Sequence, residues 1–316
     1  MDSFDVTIAG ELNMDLILYG LPESLPPERE LLASDLAVTL GSSSAIVAHN
    51  LAALGCKVGF SSCIGRDDFG EMALNRLRTI GVDVSTVVKM PPPAKTGLTV
   101  ILPRAEWRNI LTHPGTISEL TQEYLNFDFL SSARHFHLSS YFLQTGLQPH
   151  VPELLKRLKA KGLTISLDTN DDPADNWSSD VDKVLPLVDV FLPNEREAMK
   201  ITGTTNLEDA LSRLTEIVPI VVVKLGGDGA LACRGTDRLR APAITTKFVD
   251  PVGAGDSFDA GFLSSFVRGH DIRECLERGN LAGALSVTRQ GGTEAFRDAE
   301  HRDRFLAEHP VADSNN

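Results

Sequence analysis

The sequence lacks the residues that mark several large classes of protein. Its four cysteines are scattered and form no CxxC pair, so neither a zinc site nor a disulfide framework is expected. No apolar run approaches the ~18 residues of a membrane span, and the first residues show no basic segment followed by an apolar one. We therefore expect a cytoplasmic protein that has no membrane partner.

Positively charged residues are also fewer than negatively charged ones. The chain has 30 Lys and Arg residues against 43 Asp and Glu residues, which gives a formal net charge of -13. A nucleic-acid-binding surface needs a dense cluster of cations to neutralise phosphates, so a nucleic-acid partner is not expected. Apolar residues make up 42% of the chain, as in an ordinary globular protein with a large core.

Two common nucleotide-binding loops are missing. No GxxxxGK segment followed by Ser or Thr occurs, which excludes a Walker A loop. Gly253 and Gly255 resemble the start of a dinucleotide fingerprint, but Phe258 stands at the third glycine position and no βαβ unit follows. Any phosphate group must therefore be held by a different loop.

The chain does contain short β-branched runs that alternate with amphipathic segments. Strands are predicted at 6–9, 58–61, 134–138, 164–167, 188–192 and 220–224, with helices at 43–54 and 152–160 among the segments between them. This alternation predicts a mostly parallel sheet with helices on both faces. Segments 31–40, 96–102 and 108–112 follow one another without helices, and they predict a small antiparallel lid sheet. We predict one domain, 1–316, with lid segments at about 12–40 and 96–113.

The segment 250–263, DPVGAGDSFDAGFL, carries the strongest chemical signal. A strand-like stretch at 247–249 leads into a glycine loop that opens a long helix. The backbone N–H groups of Gly253, Ala254 and Gly255 predict an anion site at that helix start. Asp256, in the first turn, is suited to accept a proton from a hydroxyl group held beside the anion. A helix cap is the alternative role for Asp256.

This segment resembles the second signature of the ribokinase-like carbohydrate kinases, the PfkB family, and the resemblance extends over nearly the whole chain. It also rests on GELNMD at 10–15, GSSSAIVA at 41–48, IGRDDFG at 64–70, PNERE at 193–197, VKLGGDGA at 223–230 and QGGT at 290–293. It implies a ribokinase-like three-layer α/β fold with a small β-sheet lid. It further implies an ATP-dependent phosphotransferase that acts on a hydroxyl of a sugar-like molecule. Asp256 is then the general base, and the amides of the glycine loop hold the transferring phosphoryl group.

For the nucleotide, the resemblance implies a set of ATP-binding residues: Asn194, Lys224, Gly226, Gly229 and Asn280. Asn194 and Glu197 match the family's Asn-x-x-Glu motif, in which Glu197 holds Mg²⁺ through water. The residues alone leave simpler alternatives open. These are a helix cap for Asn194, a solvated lysine at a strand end for Lys224, and helix-surface polarity for Asn280.

For the acceptor, the resemblance implies contacts from Asn13, Asp15, Gly41, Ser42 and Ser43. Asp15, on a loop after the first strand, is suited to accept hydrogen bonds from two neighbouring sugar hydroxyls. Ile46 stands where the family generally has an asparagine, which removes one hydrogen bond, worth about 1 kcal/mol, to a ribose- or fructose-like substrate. Further candidates are Trp107, Arg108, Asn109 and Gln144.

Besides ATP and Mg²⁺, K⁺ is a cofactor candidate. Asp250 and the carbonyl of Val252 resemble the loop that binds a monovalent cation in many relatives, although Pro251 replaces the usual threonine. The expected partner is a small sugar or nucleoside. An exposed edge of the lid sheet also predicts pairing into a homodimer.

Several functions stay open at this level. The acceptor belongs to the ribose, fructose, 2-keto-3-deoxygluconate or nucleoside class. Arg104 and Arg108 in the lid leave open a kinase of a phosphorylated sugar, of the 6-phosphofructokinase or tagatose-6-phosphate kinase type. A non-catalytic sugar or nucleotide sensor is the alternative from another class, although such a module has no need of a base.

Overall fold

The computed structural model describes residues 4–104, 108–178 and 180–311. The strands are β1 (Phe4–Ala9), β2 (Asn13–Tyr19), β3 (Asp35–Leu40), β4 (Val58–Ser61), β5 (Cys63–Gly65), β6 (Val88–Met90), β7 (Gly97–Pro103), β8 (Arg108–His113), β9 (Ala133–Ser139), β10 (Thr164–Asp168), β11 (Val190–Phe191), β12 (Ile220–Lys224), β13 (Ala230–Arg234) and β14 (Asp237–Ala241). The helices are α1 (Ser43–Ala53), α2 (Asp68–Thr79), α3 (Phe127–Leu130), α4 (Val151–Ala160), α5 (Val181–Val184), α6 (Glu195–Thr202), α7 (Leu207–Thr215), α8 (Ala254–Phe266), α9 (Ile272–Ser286), α10 (Glu294–Arg297) and α11 (Ala299–Glu308). None of these helices combines the length and the apolar character that a bilayer span requires.

An eight-stranded sheet runs through the molecule in the order β14-β13-β12-β11-β10-β9-β1-β4. The pairs from β4 to β12 are parallel, and β13 and β14 are added as an antiparallel hairpin. Val221 and Val223 of β12 face one core, whereas Val222 faces the other. A strand that is buried on both faces reads as a continuous apolar run, which is why β12 was visible in the sequence.

Helices cover both faces of this sheet. Apolar residues of α4, α5 and α7 form one core with the sheet, and residues of α1, α2, α8 and α9 form the other. Helices α8 and α9 pack closely because Gly261 has no side chain, and a Cβ there would lie 2.3 Å from the Arg278 carbonyl oxygen. The predicted three-layer α/β architecture is confirmed.

A second sheet of four strands, in the order β3-β2-β7-β8, lies apart from the large one and is called the small sheet below. Strand β2 pairs antiparallel with β3 and parallel with β7, and β7 pairs antiparallel with β8. The prediction of a small separate sheet is therefore confirmed. Two details of the prediction were wrong. The sheet is mixed and not antiparallel, because β2 and β7 are parallel, and Asn13 and Asp15 lie within strand β2 and not on a loop.

Other element boundaries also differ from the predictions. Strand β3 begins only at Asp35, and β11 is limited to two residues. Residues 247–249 form no strand, and the side chain of Phe248 is exposed. Trp107, which the sequence offered as a substrate contact, lies outside the described residues.

Candidate active site

The glycine loop and the first turn of α8 have the conformation that the sequence predicts. Gly253 precedes the helix with φ 72°, in the left-handed region that favours glycine. A Cβ at Gly253 would lie only 2.5 Å from the Cα of Gly292, so the two loops touch through their glycines. One detail differs, because the amide of Ala254 donates to the Pro251 carbonyl at 3.2 Å within a tight turn. This leaves the amides of Gly253 and Gly255 as the stronger candidates for an anion site.

Asp256 is the third residue of α8 and is 8% exposed. The cap of this helix is Gly253, so the alternative role of Asp256 as a cap is excluded. Burial and the negative charge of Asp168 raise the pKa of Asp256 to about 6, against the opposing effects of Lys224 and a hydrogen bond from Ser43. A carboxyl group with this pKa is mostly ionised at neutral pH and is a better proton acceptor than an exposed aspartate.

Asp15, in strand β2, shares a negatively charged environment with Asp256. Asp15 is 6% exposed, and burial followed by the charge of Asp256 raises its pKa to about 7. Asn13 lowers this pKa through a 3.4 Å hydrogen bond, and the positive charge of Arg108 lowers it as well. A Cβ at Gly41 would lie 2.1 Å from the Asp15 carboxylate, so only glycine fits there. Asn13, Asp15 and Gly41 are thus brought together as predicted.

The serines that follow Gly41 act mainly on the start of α1. Ser42 has φ 71°, its hydroxyl accepts from the Ala45 amide at 3.3 Å, and it donates to the Glu11 carbonyl. Glu11, which the sequence analysis missed, is buried and accepts from the amide and the hydroxyl of Ser44 at 3.2 and 2.6 Å. Ser43 instead reaches Asp256. Ser42 therefore has a structural use that leaves Ser43 as the serine nearest the candidate base.

Ile46 of α1 lies beside the loops that contain Gly253 and Gly292. If Gly292 and Gly253 each carried a Cβ atom, these atoms would lie 2.7 Å and 3.4 Å from the Cδ1 atom of Ile46. The side chain of Ile46 therefore packs against the two glycine loops. One helical turn later, Asn50 donates to the Ser257 hydroxyl and to the Gly292 carbonyl, both at 3.0 Å. Ile46 therefore packs beside the glycine loop, and the loss of a hydrogen bond to the acceptor at this position stays a prediction.

Asn194 and Glu197 form a reciprocal cap at the start of α6. The Asn194 side chain accepts from the Glu197 amide at 2.9 Å, and the Glu197 carboxylate accepts from the Asn194 amide at 2.8 Å. Burial and the charge of Asp168 raise the pKa of Glu197 to about 7. A carboxylate has about four acceptor positions, so Glu197 retains positions for the water shell of a hydrated Mg²⁺. The described residues contain no cluster of three or more acids, histidines or cysteines that would hold a metal by themselves.

Lys224 is not a solvated lysine. Its side chain is 12% exposed, and its ammonium group lies 2.7 Å from Asp168 and 3.2 Å from Asp259. Burial lowers its pKa, but the two carboxylates outweigh this effect and raise it. Asp168 and Asp259 hydrogen-bond to each other. Burial raises the pKa of Asp259. The pKa of Asp168 is lowered despite burial, because the positive charge of Lys224 favours the ionised carboxylate. Lys224 is therefore an internal counter-ion beside the first turn of α8, which excludes the solvated lysine, and its contact with ATP phosphates stays a prediction.

Asp168 and Asp259 were both missed, although each had a signal in the sequence. Asp259 lies three residues after Asp256 on one helix, which places both on the same face. Asp168 ends β10, which lies between β9 and β11 in the sheet. Ligand sites of open α/β sheets lie at this edge, so an acidic residue there was a candidate.

Asn280 and Gly229 both hold the chain that follows β14. The Asn280 side chain donates to the carbonyls of Ala241 and Pro242, both at 3.0 Å. Gly229 has φ 87°, and a Cβ there would lie 2.1 Å from the Ala241 carbonyl. Gly226 has φ 58° and open space around it. Asn280 thus has a buried structural role, which excludes helix-surface polarity, and its contact with ATP stays a prediction.

The Asp250 carboxylate, which is predicted to bind a monovalent cation, already accepts several hydrogen bonds from the protein. The Asp250 carboxylate is 2% exposed and already accepts from the Tyr19 hydroxyl at 2.6 Å, the Gly291 amide at 2.9 Å and the Val252 amide at 3.0 Å. The Val252 side chain packs with Ile17 and Ile101 of the small sheet. We therefore derive no step that involves K⁺.

The remaining acceptor candidates are partly committed to other contacts. Gln144 is buried and donates to the Ser139 carbonyl at 2.6 Å, and Arg104 donates to the Leu21 carbonyl at 3.2 Å. Asn109 and Arg108 lie on β8, paired with Leu102 and Pro103 of β7. Of the four, only Arg108 has an electrostatic effect on Asp15.

Comparison with protein families decides the identity of this arrangement. The model of the "pfkB family carbohydrate kinase" matches residues 3–299. The chain belongs to the PfkB family. The predicted assignment as an ATP-dependent carbohydrate kinase is confirmed.

Relatives of this kinase cover nearly its whole length. It is 28% identical over 281 residues to the 2-dehydro-3-deoxygluconokinase of Bacillus subtilis, which covers 85% of this chain and 86% of the relative. It is 26% identical over 309 residues to the ribokinase of Haemophilus influenzae, with 95% and 98% covered. A solved structure of a putative ribokinase II from E. coli in complex with ATP and Mg²⁺ has a TM-score of 0.82 and 25% identity, and the match covers 96% of this kinase and 99% of that chain. The predicted ribokinase-like fold is confirmed.

Proposed function

We propose that this kinase transfers the γ-phosphoryl group of MgATP to a hydroxyl of a small sugar or sugar acid, with Asp256 as the general base. One observation carries the proposal. The buried carboxylate of Asp256 lies in the first turn of α8, directly after the Gly253 turn, and it acts electrostatically on Asp15 of the small sheet. A proton acceptor, an anion-binding helix start and a hydroxyl-binding carboxylate thus meet at one edge of the large sheet.

The transfer follows from these positions. Asp15 accepts hydrogen bonds from acceptor hydroxyls, which leaves the reacting hydroxyl facing Asp256. That oxygen forms a bond to the γ-phosphorus as its proton passes to Asp256, and the bond to the ADP oxygen breaks. The amides of Gly253 and Gly255 stabilise the charge of the moving phosphoryl group. When bound, Mg²⁺ neutralises phosphate charge, and Glu197 is the residue that would accept hydrogen bonds from its water shell.

The small sheet is proposed as the lid of this site. Its strand β2 carries Asp15, and its residues Ile17 and Ile101 pack on Val252 beside the glycine loop. Closure of such a sheet over the acceptor would exclude water and limit wasteful hydrolysis of ATP. Arg108 of this sheet lowers the pKa of Asp15 through its positive charge, and it favours an acceptor that carries a carboxylate or phosphate group.

A substrate panel tests the proposal. ATP consumption would be measured with ribose, fructose, 2-keto-3-deoxygluconate, nucleosides, fructose 6-phosphate and tagatose 6-phosphate. We expect one class to raise ATP consumption at least tenfold above the acceptor-free rate. A strong response to sugar phosphates alone would favour the phosphosugar kinase, for which Arg108 is the supporting residue. If no acceptor responds and ATP still binds, the sensor function replaces the catalytic one.

The acceptor kcat/KM is expected to rise with pH. Free-enzyme groups control this parameter, and both Asp256, with a pKa of about 6, and Asp15, with a pKa of about 7, must be ionised to act. Protonation of either removes activity, so kcat/KM should fall about tenfold per pH unit just below pH 6.5 and more steeply below pH 6. Above pH 8 it should be level. A profile that is flat from pH 5 to 8 would contradict both assignments.

We propose that the outer face of the small sheet forms a homodimer contact. The face opposite Asp15 carries Leu36, Val38 and Leu111, whose side chains are more exposed than is usual for apolar residues. Strand β8 is also an edge strand with unpaired backbone groups. Sedimentation of the full chain would test this, and a monomer at micromolar concentration would reject it.

A further inference from the structure

The carboxylate of Asp250 joins three separate parts of the chain. Its Oδ1 accepts from the amide of Val252, and its Oδ2 accepts from the amide of Gly291 at 2.9 Å. The third donor is the hydroxyl of Tyr19, at 2.6 Å from Oδ2, although Tyr19 is 231 residues away in sequence. A buried carboxylate requires such donors, and this one takes two from the loops and one from the small sheet.

The loops held by Asp250 are the ones that shape the anion site. Val252 immediately precedes Gly253, and Gly291 immediately precedes Gly292. The backbones of Gly253 and Gly292 touch, since a Cβ on the first would lie 2.5 Å from the Cα of the second. The Asp250 carboxylate therefore fixes the two glycine loops against each other one residue away from their contact.

Tyr19 lies on the same strand as the acceptor carboxylate. Successive side chains of a strand alternate between its faces, so Asp15, Ile17 and Tyr19 of β2 share one face. Asp15 meets the proposed acceptor, Ile17 packs on Val252, and Tyr19 donates to Asp250. One face of β2 thus runs from the acceptor-binding group to the loop that precedes the phosphoryl-binding helix.

We propose that Tyr19 is a positioning residue for phosphoryl transfer. Through Asp250, its hydroxyl holds the strand that carries Asp15 at a fixed distance from the glycine loop of α8. The hydrogen bond between Tyr19 and Asp250 thus joins the strand that binds the acceptor to the loop that binds the phosphoryl group, and it aligns the two reacting groups. This inference rests on the proposed function, because it assigns Asp15 to the acceptor and the glycine loop to the phosphoryl group.

The bond from Tyr19 is separate from the contacts that attach the small sheet to the body of the kinase. Strand β3 has its own contacts, in which Thr39 donates to Glu294 at 3.2 Å and Asp35 accepts from Gln290 at 3.1 Å. Arg76 of α2 also donates to the Val38 carbonyl of β3 at 3.2 Å. Loss of a single hydroxyl at Tyr19 should therefore leave the sheet folded and attached, and should loosen only the alignment of β2.

Tyr19→Phe tests the inference, with Tyr124→Phe as the matched control. Tyr124 is a partly buried tyrosine that packs against the apolar core and lies outside the proposed site. We expect Tyr19→Phe to lower kcat about tenfold, since small misplacements of reacting groups have large effects on rate. The KM for MgATP should stay within twofold, and ATP hydrolysis without acceptor should rise relative to transfer. Tyr124→Phe should match the parent in kcat, in the KM for MgATP and in the rate of ATP hydrolysis without acceptor.

The outcomes separate the two proposals. If the parent chain shows no acceptor-dependent transfer, the proposed function fails and the inference falls with it. If the parent is active and Tyr19→Phe retains kcat within twofold, only the inference is overturned. Thermal melting of both variants provides the check on folding, and a melting temperature for Tyr19→Phe far below that of Tyr124→Phe would assign Tyr19 to stability instead.

A double-mutant cycle with Asp250→Asn shows whether Tyr19 acts through Asp250. If it does, adding Tyr19→Phe to Asp250→Asn should change kcat by less than twofold, because the bond is already weakened. If the two effects on kcat multiply, the residues act independently and the positioning role through Asp250 is refuted.

Discussion

Asp256→Asn is expected to lower kcat for phosphoryl transfer by roughly 10²–10⁴-fold, the usual contribution of a general base. Asparagine has nearly the same shape, so it keeps the packing of a side chain that is almost fully buried. It cannot take up the proton that the acceptor hydroxyl loses. The affinity for ATP, measured by calorimetry, should change little, because the anion site is formed by backbone amides.

Asp209→Asn is the matched control for this variant. Asp209 is the third residue of α7, as Asp256 is of α8, but its side chain is exposed and lies outside the proposed site. Both substitutions remove one negative charge from the first turn of a helix, so any general effect on helix stability is shared. If Asp256→Asn and Asp209→Asn both keep kcat within tenfold of the parent, Asp256 is not the base.

Gly253→Ala should have an effect of similar size, about 10²–10³-fold on kcat, through loss of the anion site. A Cβ at this position meets the Gly292 backbone at 2.5 Å, and φ 72° is unfavourable for alanine. The two loops must separate, and the amides of Gly253 and Gly255 then no longer converge. Steady-state kinetics would measure this loss for the acceptor that the substrate panel identifies.

The control for backbone strain is Gly235→Ala. Gly235 has φ 57° and open space around it, in the turn between β13 and β14. This variant pays a comparable conformational cost far from the proposed site, so it should lower the melting temperature without lowering kcat. Normal transfer by Gly253→Ala would show that the glycine loop does not hold the phosphoryl group.

Local patterns were sufficient for much of the fold. Strand β12 is a continuous apolar run, whereas β9 and β10 alternate apolar with polar residues, and both patterns are visible in the sequence. Strand β2 was missed because its inward positions, Asn13 and Asp15, are polar and serve the site. Residues 247–249 have strand-like composition but no strand beside them to pair with, so they remain irregular.

The candidate site was predictable to the extent that its signals are contiguous. The glycine turn and Asp256 occupy four neighbouring positions, and their conformation follows from glycine at φ 72° and from the start of a helix. The partners of Lys224 were not predictable, because Asp168 lies 56 residues away and Asp259 lies 35 residues away. The packing of Ile46 against the glycine loops was not predictable either.

The sequence by itself determined the three-layer architecture, the family and the position of the candidate base, because these depend on periodicity and on short motifs. Only the tertiary structure decided where the charged and polar side chains point. It turned Lys224 toward two acids, occupied Asp250 with three donors and placed Tyr19 beside it. Buried polar groups must find partners wherever the fold brings them, and those partners come from segments that no local pattern connects.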